Sequence, residues 1–296
     1  MIVKKARLLG FCMGVRRAVE LAVKETQQAG ESGFPVYTLG SLIHNPKVLE
    51  DLKNRGIKSI DGPPRTPDCC VIIRAHGVTP AAESELRGTG CRVIDATCPK
   101  VKASQLKTQE MLRAGYFLFL AGEADHSEIE GIMGYAIKAG KEGSISCAVV
   151  SSGKEAEESA ASLCGKNSGV KTALLAQTTI SEEEYQSIGE KIKKYFPNLE
   201  IIDTICRATK ERQVALRELL CETDAVIIAG GKESANTRRL LAIAKESGKP
   251  CAIIEKAEEV PKDFFNYKTI GLCSGASTPD SAIDDIENAL VKTHLA

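Results

Sequence analysis

The 296-residue chain repeats itself. "VIDATCPKVKASQ" (residues 93–105) and "IIDTICRATKERQ" (residues 201–213) each run an apolar, β-branched strand into a cysteine and then into a helix-compatible stretch. From Cys98 to Gly122 is 24 positions and from Cys206 to Gly230 is 24, and four further on stand His126 and Ser234. A third copy opens the chain: "LLGFC", the helical "GVRRAVELAVKETQQAG", the strand "PVYTLG" and, four after Gly40, His44, with 28 positions from Cys12 to Gly40. Self-similarity of this kind makes each copy one supersecondary unit whose apolar face needs its neighbours.

Each copy goes on with a helix ("NPKVLEDLKNRG", "SEIEGIMGYAI", "ANTRRLLAIAKESG"), a short strand, a connector and a further strand ("CCVIIRAHG", "TALLAQTT", "TIGLCSGAS"). Val, Ile and Leu-rich strands alternating with helices indicate buried parallel sheets with helices on their faces. The expectation is an α/β protein of three small parallel-sheet units in pseudo-threefold arrangement. The expected lobes are 1–96 with Cys12, 97–204 with Cys98, and 205–296 with Cys206 and the C-terminal tail.

Composition excludes several function classes. With 39 basic and 39 acidic residues there is no global electrostatic case for nucleic acid or an anionic membrane surface. No run approaches the roughly 18 apolar residues of a membrane span, and "MIVKKARLLGFCMGV" lacks the apolar core of an export leader. Eleven cysteines, an odd number spread over a long chain, argue for reduced thiols in a cytoplasmic protein, some of them binding metal.

In open parallel sheets functional loops lie beyond the carboxyl ends of the strands, where the next helices present free N–H groups. Cys12, Cys98 and Cys206 occupy such loops and can converge if the copies pack around a threefold axis. A helix N-terminus favours the thiolate, and Pro99 forfeits only an N–H that is free anyway. Three thiolates suit a 4Fe-4S cluster with one iron lacking a protein ligand, whereas structural zinc takes four ligands at C-x-x-C spacings absent from this chain. Cys69, Cys70, Cys147, Cys164, Cys221, Cys251 and Cys273 have no counterpart in all three copies and read as packing residues, and Cys91 is given no role.

The same alignment sets His44-Asn45, His126-Ser127 and Ser234-Ala235-Asn236 at matching places, and in a looser register His76, Thr178-Thr179 and Ser277. Only His294, of four histidines, falls elsewhere, in the C-terminal tail. Neutral donors with helix N-termini can hold a phosphate, so a small anionic substrate is expected. Glu128 and Glu130 follow His126 two apart and so point to different faces of one helix; Glu128, nearer the mouth, is the expected proton donor to a leaving hydroxyl, with His126 and Thr178 as partners. No complete G-x-G-x-x-G, phosphate loop or G-x-S-x-G elbow is present, so redox chemistry would draw electrons from another protein such as a ferredoxin or flavodoxin.

Together "GFCMGVRRAV", "IHNPKV", "RAHGV", "DATCPKV", "HSEIEGIMG", "AQTTIS", "DTICRAT", "ESANTRRL" and "SGASTPD" resemble the 4-hydroxy-3-methylbut-2-enyl diphosphate reductase family over nearly the whole chain. The resemblance implies a three-lobed α/β fold around one 4Fe-4S cluster held by Cys12, Cys98 and Cys206, acting in the last step of the non-mevalonate isoprenoid pathway. It implies that Glu128 supplies protons with Thr178 and His126 in its network. It implies further that His44, His76, His126, Ser234, Asn236 and Ser277 hold the diphosphate, Ala235 standing where the family often has Ser and offering its backbone N–H. The same cluster geometry would also serve a non-redox hydro-lyase, and a labile cluster would serve a sensing module.

Overall fold

The computed structural model of the chain describes residues 1–139 and 146–292. The chain opens with β1 (Ile2–Lys5) and α1 (Met13–Ser32), then runs β2 (Val36–Leu39), α2 (Pro46–Asn54), β3 (Lys58–Ile60), β4 (Cys70–Ile73), α3 (Pro80–Gly88) and β5 (Arg92–Asp95). The second pass is α4 (Pro99–Arg113), β6 (Phe117–Ala121), α5 (Ser127–Ala139), β7 (Cys147–Val150), α6 (Gly153–Lys166), β8 (Thr172–Ala176), α7 (Glu182–Lys193) and β9 (Glu200–Ile202). The third is α8 (Arg207–Cys221), β10 (Ala225–Ala229), α9 (Ala235–Glu246), β11 (Cys251–Ile254), two short 3-10 turns, β12 (Thr269–Ser274) and α10 (Asp280–Lys292).

Among the described residues these strands form three four-stranded sheets, ordered β11-β10-β12-β1, β3-β2-β4-β5 and β7-β6-β8-β9. The order is the same each time: a peripheral strand, the two central strands, then an edge strand from which the chain leaves for the next helix. Neighbours run parallel, as in Val36↔Cys70, Cys70↔Arg92, Phe117↔Thr172, Ala173↔Glu200, Ala225↔Ile270 and Ile2↔Thr269. The fold is thus the expected set of three parallel-sheet α/β units. The expected lobe limits at 96/97 and 204/205 fall in the loops after β5 and β9, while β1, counted on sequence with the first lobe, pairs with β12.

By chain contacts the molecule divides into two compact units, one of Met1–Glu31, Ser41–Lys58 and Arg207–Ala296, the other of Ser32–Gly40 and Ser59–Cys206. The first holds the β1-β12-β10-β11 sheet. The second holds the other two sheets, apart from Lys58 at the start of β3.

Parallel sheets bury both faces, so their central strands need apolar residues at every position. β8 shows the consequence: Leu174 and Ala176 join Phe119, Ala156, Ile188 and Ile192 on one side, while Ala173 and Leu175 join Leu118, Leu120, Met111 and Ile132 on the other. The sheet containing β10 divides alike, with Val226 and Ile228 facing Leu216 and Leu240, and Ile227 facing Ile283 and Leu290. Helix starts are set locally. Asn45, Thr79, Ser152, Ser181 and Ser234 each accept a backbone N–H of the first turn, and Pro46, Pro80 and Pro99 sit where no N–H is needed.

Phe119 is fully buried in the cluster that also holds Leu174 and Phe196. Phe119→Ala is expected to cost about 3–5 kcal/mol of unfolding free energy, read from urea denaturation of the metal-free chain.

Candidate active site

The three cysteines occupy one structural station. Each lies at the start of a helix and donates its backbone N–H to a carbonyl two residues past the end of the neighbouring central strand: Cys12 to Ala276 at 3.0 Å, Cys98 to Ala75 at 2.9 Å, Cys206 to Thr178 at 3.0 Å. Backbone rather than thiol makes the tie, and the Cys98 side chain makes no capping bond to its helix. All three are half-buried, and none of the chain's cysteines is in a disulfide. The approach turns are built in two ways. Asp95 and Asp203 each accept the N–H two residues on, from Thr97 at 2.9 Å and Ile205 at 3.1 Å, the side-chain turn that Asp favours. Before Cys12 the turn is made at Gly10, whose φ is +73.

In the second unit, α5 starts at the carboxyl end of β6 and carries Glu128 in its first turn, 1 % exposed. Thr178 serves this carboxyl twice: its N–H donates to Oε1 at 2.8 Å and its hydroxyl to Oε2 at 2.8 Å. Burial pushes the Glu128 carboxyl up to about 7, against the two Thr178 hydrogen bonds, which favour the charged form. Its backbone N–H donates to Nδ1 of His126 at 3.1 Å, so the proton of a neutral His126 ring sits on Nε2. The ring of His76 meets that of His126 edge-on, centroids 5.5 Å apart.

Glycines let these pieces approach. A Cβ at Gly134 would lie 2.6 Å from Cβ and Cγ2 of Thr79, and one at Gly131 would lie 3.2 Å from Nε2 of Gln105 and 3.7 Å from the His76 carbonyl. The loop carrying His76 therefore lies directly on α5. Gln177 ties the neighbouring loops together, accepting from the Glu123 N–H at 3.0 Å and donating to the Thr179 hydroxyl at 3.0 Å.

In the first unit Ser277 donates to the His44 carbonyl at 3.1 Å, and Asn45 rather than His44 caps α2. Ser234 caps α9, accepting from Thr237 at 3.4 Å and leaving its own hydroxyl proton to be donated elsewhere. Asn236, 4 % exposed, has neither side-chain oxygen nor nitrogen bonded to any protein group. A buried amide in that state is suited to a ligand.

The structure thus brings Glu128, Thr178, His126 and His76 together in one unit, with Cys98 and Cys206 tied to the loops of His76 and Thr178. Cys12, His44, Ser234, Ala235, Asn236 and Ser277 belong to the other. The looser register is now set: Ala75, Thr178 and Ala276 are equivalent, and so are His76, Thr179 and Ser277. Glu130 turns away, 65 % exposed and paired to Arg74 at 3.3 Å, while Thr179 is held by Gln177. His294 lies outside the described residues. Burial pushes the Cys273 thiol up to about 11 and Cys147 up to about 12, so both stay protonated. Sequence reasoning missed Gln177 and Arg212, the latter a 4 % exposed arginine on α8. The available signal was a charged residue in the buried stripe of an otherwise amphipathic helix.

Fold and geometry define an α/β protein that carries cysteines and a buried carboxyl in the loops at the carboxyl ends of parallel strands. Residues 3–291 match the family model described as LytB protein, and the chain belongs to that family. It is 44% identical, over 99% of its length and 100% of the relative's, to the 4-hydroxy-3-methylbut-2-enyl diphosphate reductase of Treponema denticola. A solved (E)-4-hydroxy-3-methyl-but-2-enyl diphosphate reductase, the terminal enzyme of the non-mevalonate pathway, is similar with TM-score 0.70 and 38% identity over 99% of this chain and 100% of that one. The Plasmodium falciparum E-1-hydroxy-2-methyl-but-2-enyl-4-diphosphate reductase gives TM-score 0.86 and 27% identity over 97% of this chain and 87% of the other.

The approach of the His76 loop to α5 yields a paired prediction. Gly134→Ala meets the branched root of the Thr79 side chain, with the Thr79 Cα 3.1 Å away, and is expected to cost about 1–3 kcal/mol by overpacking, whereas Gly131→Ala, which meets the far end of Gln105, costs less. Thermal denaturation of the two variants against the parent checks the order.

Proposed function

We propose that this chain is a 4-hydroxy-3-methylbut-2-enyl diphosphate reductase. It takes two electrons and two protons, expels the substrate hydroxyl as water, and yields isopentenyl and dimethylallyl diphosphate in the last step of the non-mevalonate pathway. Membership of the LytB family and the names of its relatives support the reaction. The observation that carries it is Thr178. One residue accepts the backbone N–H of Cys206 and gives both its donors to the carboxyl of Glu128, so a thiol and an acid are held in fixed relation.

The donor set fits one 4Fe-4S cluster on Cys12, Cys98 and Cys206: three cysteines at equivalent stations, positioned through their backbones, each at a helix start. When bound, that cluster supplies the electrons one at a time and Lewis acidity toward the departing hydroxyl. The chain supplies the protons. With its carboxyl near 7, Glu128 holds a proton on Oε2 for much of the time at neutral pH, its hydrogen bond to the Thr178 hydroxyl then running from acid to alcohol. After the proton leaves, the two Thr178 donors take up the carboxylate's charge. His126 keeps its bond from the Glu128 N–H on Nδ1, which leaves the proton of the neutral ring on Nε2.

The diphosphate is assigned to His44, His76, His126, Ser234, Asn236 and Ser277 with the Ala235 N–H, and the support is the buried unbonded amide of Asn236 at the start of α9. Ser277 must release the His44 carbonyl to donate to such an anion. Electrons come from a reduced ferredoxin or flavodoxin, a reading supported by the lack of a nicotinamide or flavin motif in the sequence. A cytoplasmic setting accords with eleven cysteines outside any disulfide, and among the described residues no helix is long and apolar enough to cross a membrane. The division into lobes at 96/97 and 204/205 belongs to the same reading.

Two experiments test this. Protein purified without oxygen is expected to carry nearly equal iron and acid-labile sulfide, both lost in Cys206→Ser; zinc, or no metal in folded protein, would sink the mechanism. Glu128→Gln is expected to keep the cluster and bind the diphosphate but lose about 10²–10⁴ in turnover. The pH dependence has a definite sign. The donor is competent when protonated, so wild-type turnover is flat below the carboxyl's value of about 7 and falls above it, a limb absent from the variant's residual rate. Turnover without any reductant would favour a hydro-lyase instead.

A further inference from the structure

Cys98 reaches its carbonyl through an unbroken ladder. Donor and acceptor are 23 positions apart at Arg92 and Cys69, at Ala96 and Ile73, and at Cys98 and Ala75. The ladder of β1 on β12 is different. It runs at a separation of 266 for Ile2 and Lys268 and for Ala6 and Leu272, but Cys12 and Ala276 are 264 apart. Two extra residues must therefore be looped out between Ala6 and Cys12. No Asp stands three before Cys12 to hold that loop, as Asp95 and Asp203 stand three before Cys98 and Cys206; the position is Leu9.

What holds the slipped segment comes from other elements of the same unit. The Gly10 N–H donates to the Ser274 hydroxyl at 3.0 Å, and the Asp280 carboxylate lies against the face of Gly10 where a Cβ would stand. The largest share falls to Arg212. Its Nη2 donates to the Gly10 carbonyl at 2.6 Å, and its Nη1 reaches the carbonyls of Ser274 at 3.4 Å and Leu8 at 3.5 Å. One fork thereby spans both sides of the ladder, joining the loop before Cys12 to the end of β12. Burying a guanidinium at 4 % exposure is costly, and a planar fork over several carbonyls is the geometry that compensates for it.

We infer that Arg212 is the positioning residue for Cys12, holding the looped-out turn at Gly10 so that one thiolate of the three is presented to the cluster. The inference rests on the cluster reading above. The Arg212 bonds to Gly10, Leu8 and Ser274 all lie at the turn before Cys12 and the strand end beside it, so its loss should act first as a defect at that one ligand out of three. An ammonium in its place keeps the charge but cannot span three carbonyls.

The test uses the iron-loaded protein and Arg212→Lys and Arg212→Ala. Iron release to a ferrous chelator is expected to quicken on the order of 10- to 100-fold in Arg212→Lys, the usual consequence of losing a group that orients a ligand. Arg212→Ala should be faster still, and millimolar guanidinium should slow it again. In parallel the metal-free chains are alkylated with a maleimide and the rate at each cysteine is read by peptide mass. Cys12 should react faster in the Arg212→Lys chain than in the parent, with Cys98 and Cys206 unchanged. Iron release at the parental rate in both variants overturns the assignment. So does quicker release that follows a lowered thermal midpoint, with no guanidinium response and all three cysteines equally affected, since that is general packing loss. If the parent binds no iron, the cluster reading fails, and the alkylation rates still decide whether Arg212 holds Cys12.

Discussion

The parallel backbone ladder is the constraint on which everything else depends. Each sheet has to place the carboxyl ends of its strands along one edge, so every loop that leaves those ends emerges on that side. The cysteine stations follow from the same ladder. In the β4–β5 pair the bond from Cys98 to Ala75 is simply the next rung after Ala96 to Ile73. A thiol placed by a rung of a sheet inherits the rigidity of the sheet, which side-chain contacts between loops would not provide.

Glu128 shows how the scaffold sets chemistry as well as position. A carboxyl 1 % exposed would be expected to sit far above neutrality if nothing received its charge, and near its solution value if it were fully solvated. Two donors from a single residue bring it between these limits, to about 7. Thr178 is part of the backbone run that also fixes Cys206, so the acid's strength and its placement are governed by one segment, the "QTT" turn after β8. Gln177 in that turn clamps both flanks and explains why Thr178, rather than Thr179, faces the carboxyl.

Much of this was legible in the sequence because its causes are local and periodic. The 24-residue spacing from cysteine to glycine and the β-branched runs each report backbone geometry that a short segment determines by itself, whereas the Asp turns before Cys98 and Cys206 went unread. The same reasoning chose Glu128 over Glu130, since two positions on a helix cannot share a face. What escaped it depends on long-range register. The alignment of His76, Thr178-Thr179 and Ser277 needed the carbonyls that receive the cysteine N–H groups, and the pairing of β1 with β12 joins residues about 266 apart. Ala235 was legible as a departure, and its burial at 3 % leaves its backbone N–H, not its side chain, as the group of interest.

The two solutions for presenting a cysteine differ in where their information resides. At Cys98 and Cys206 an aspartate three residues back makes the turn, so the motif carries its own geometry and would survive transfer to another copy of the repeat. At Cys12 the edge strand comes from the opposite end of the chain, and the two-residue slip in its ladder is met at Gly10 by Ser274, Asp280 and Arg212, of which the nearest in sequence, Arg212, is 202 positions away. That asymmetry is what closing a repeat entails. The first strand must complete the last sheet, and the residues that accommodate it can only be supplied by the last copy. A charge buried on α8, which propensity alone would reject, is there because the N-terminal loop arrives with its carbonyls unpaired by any ladder rung.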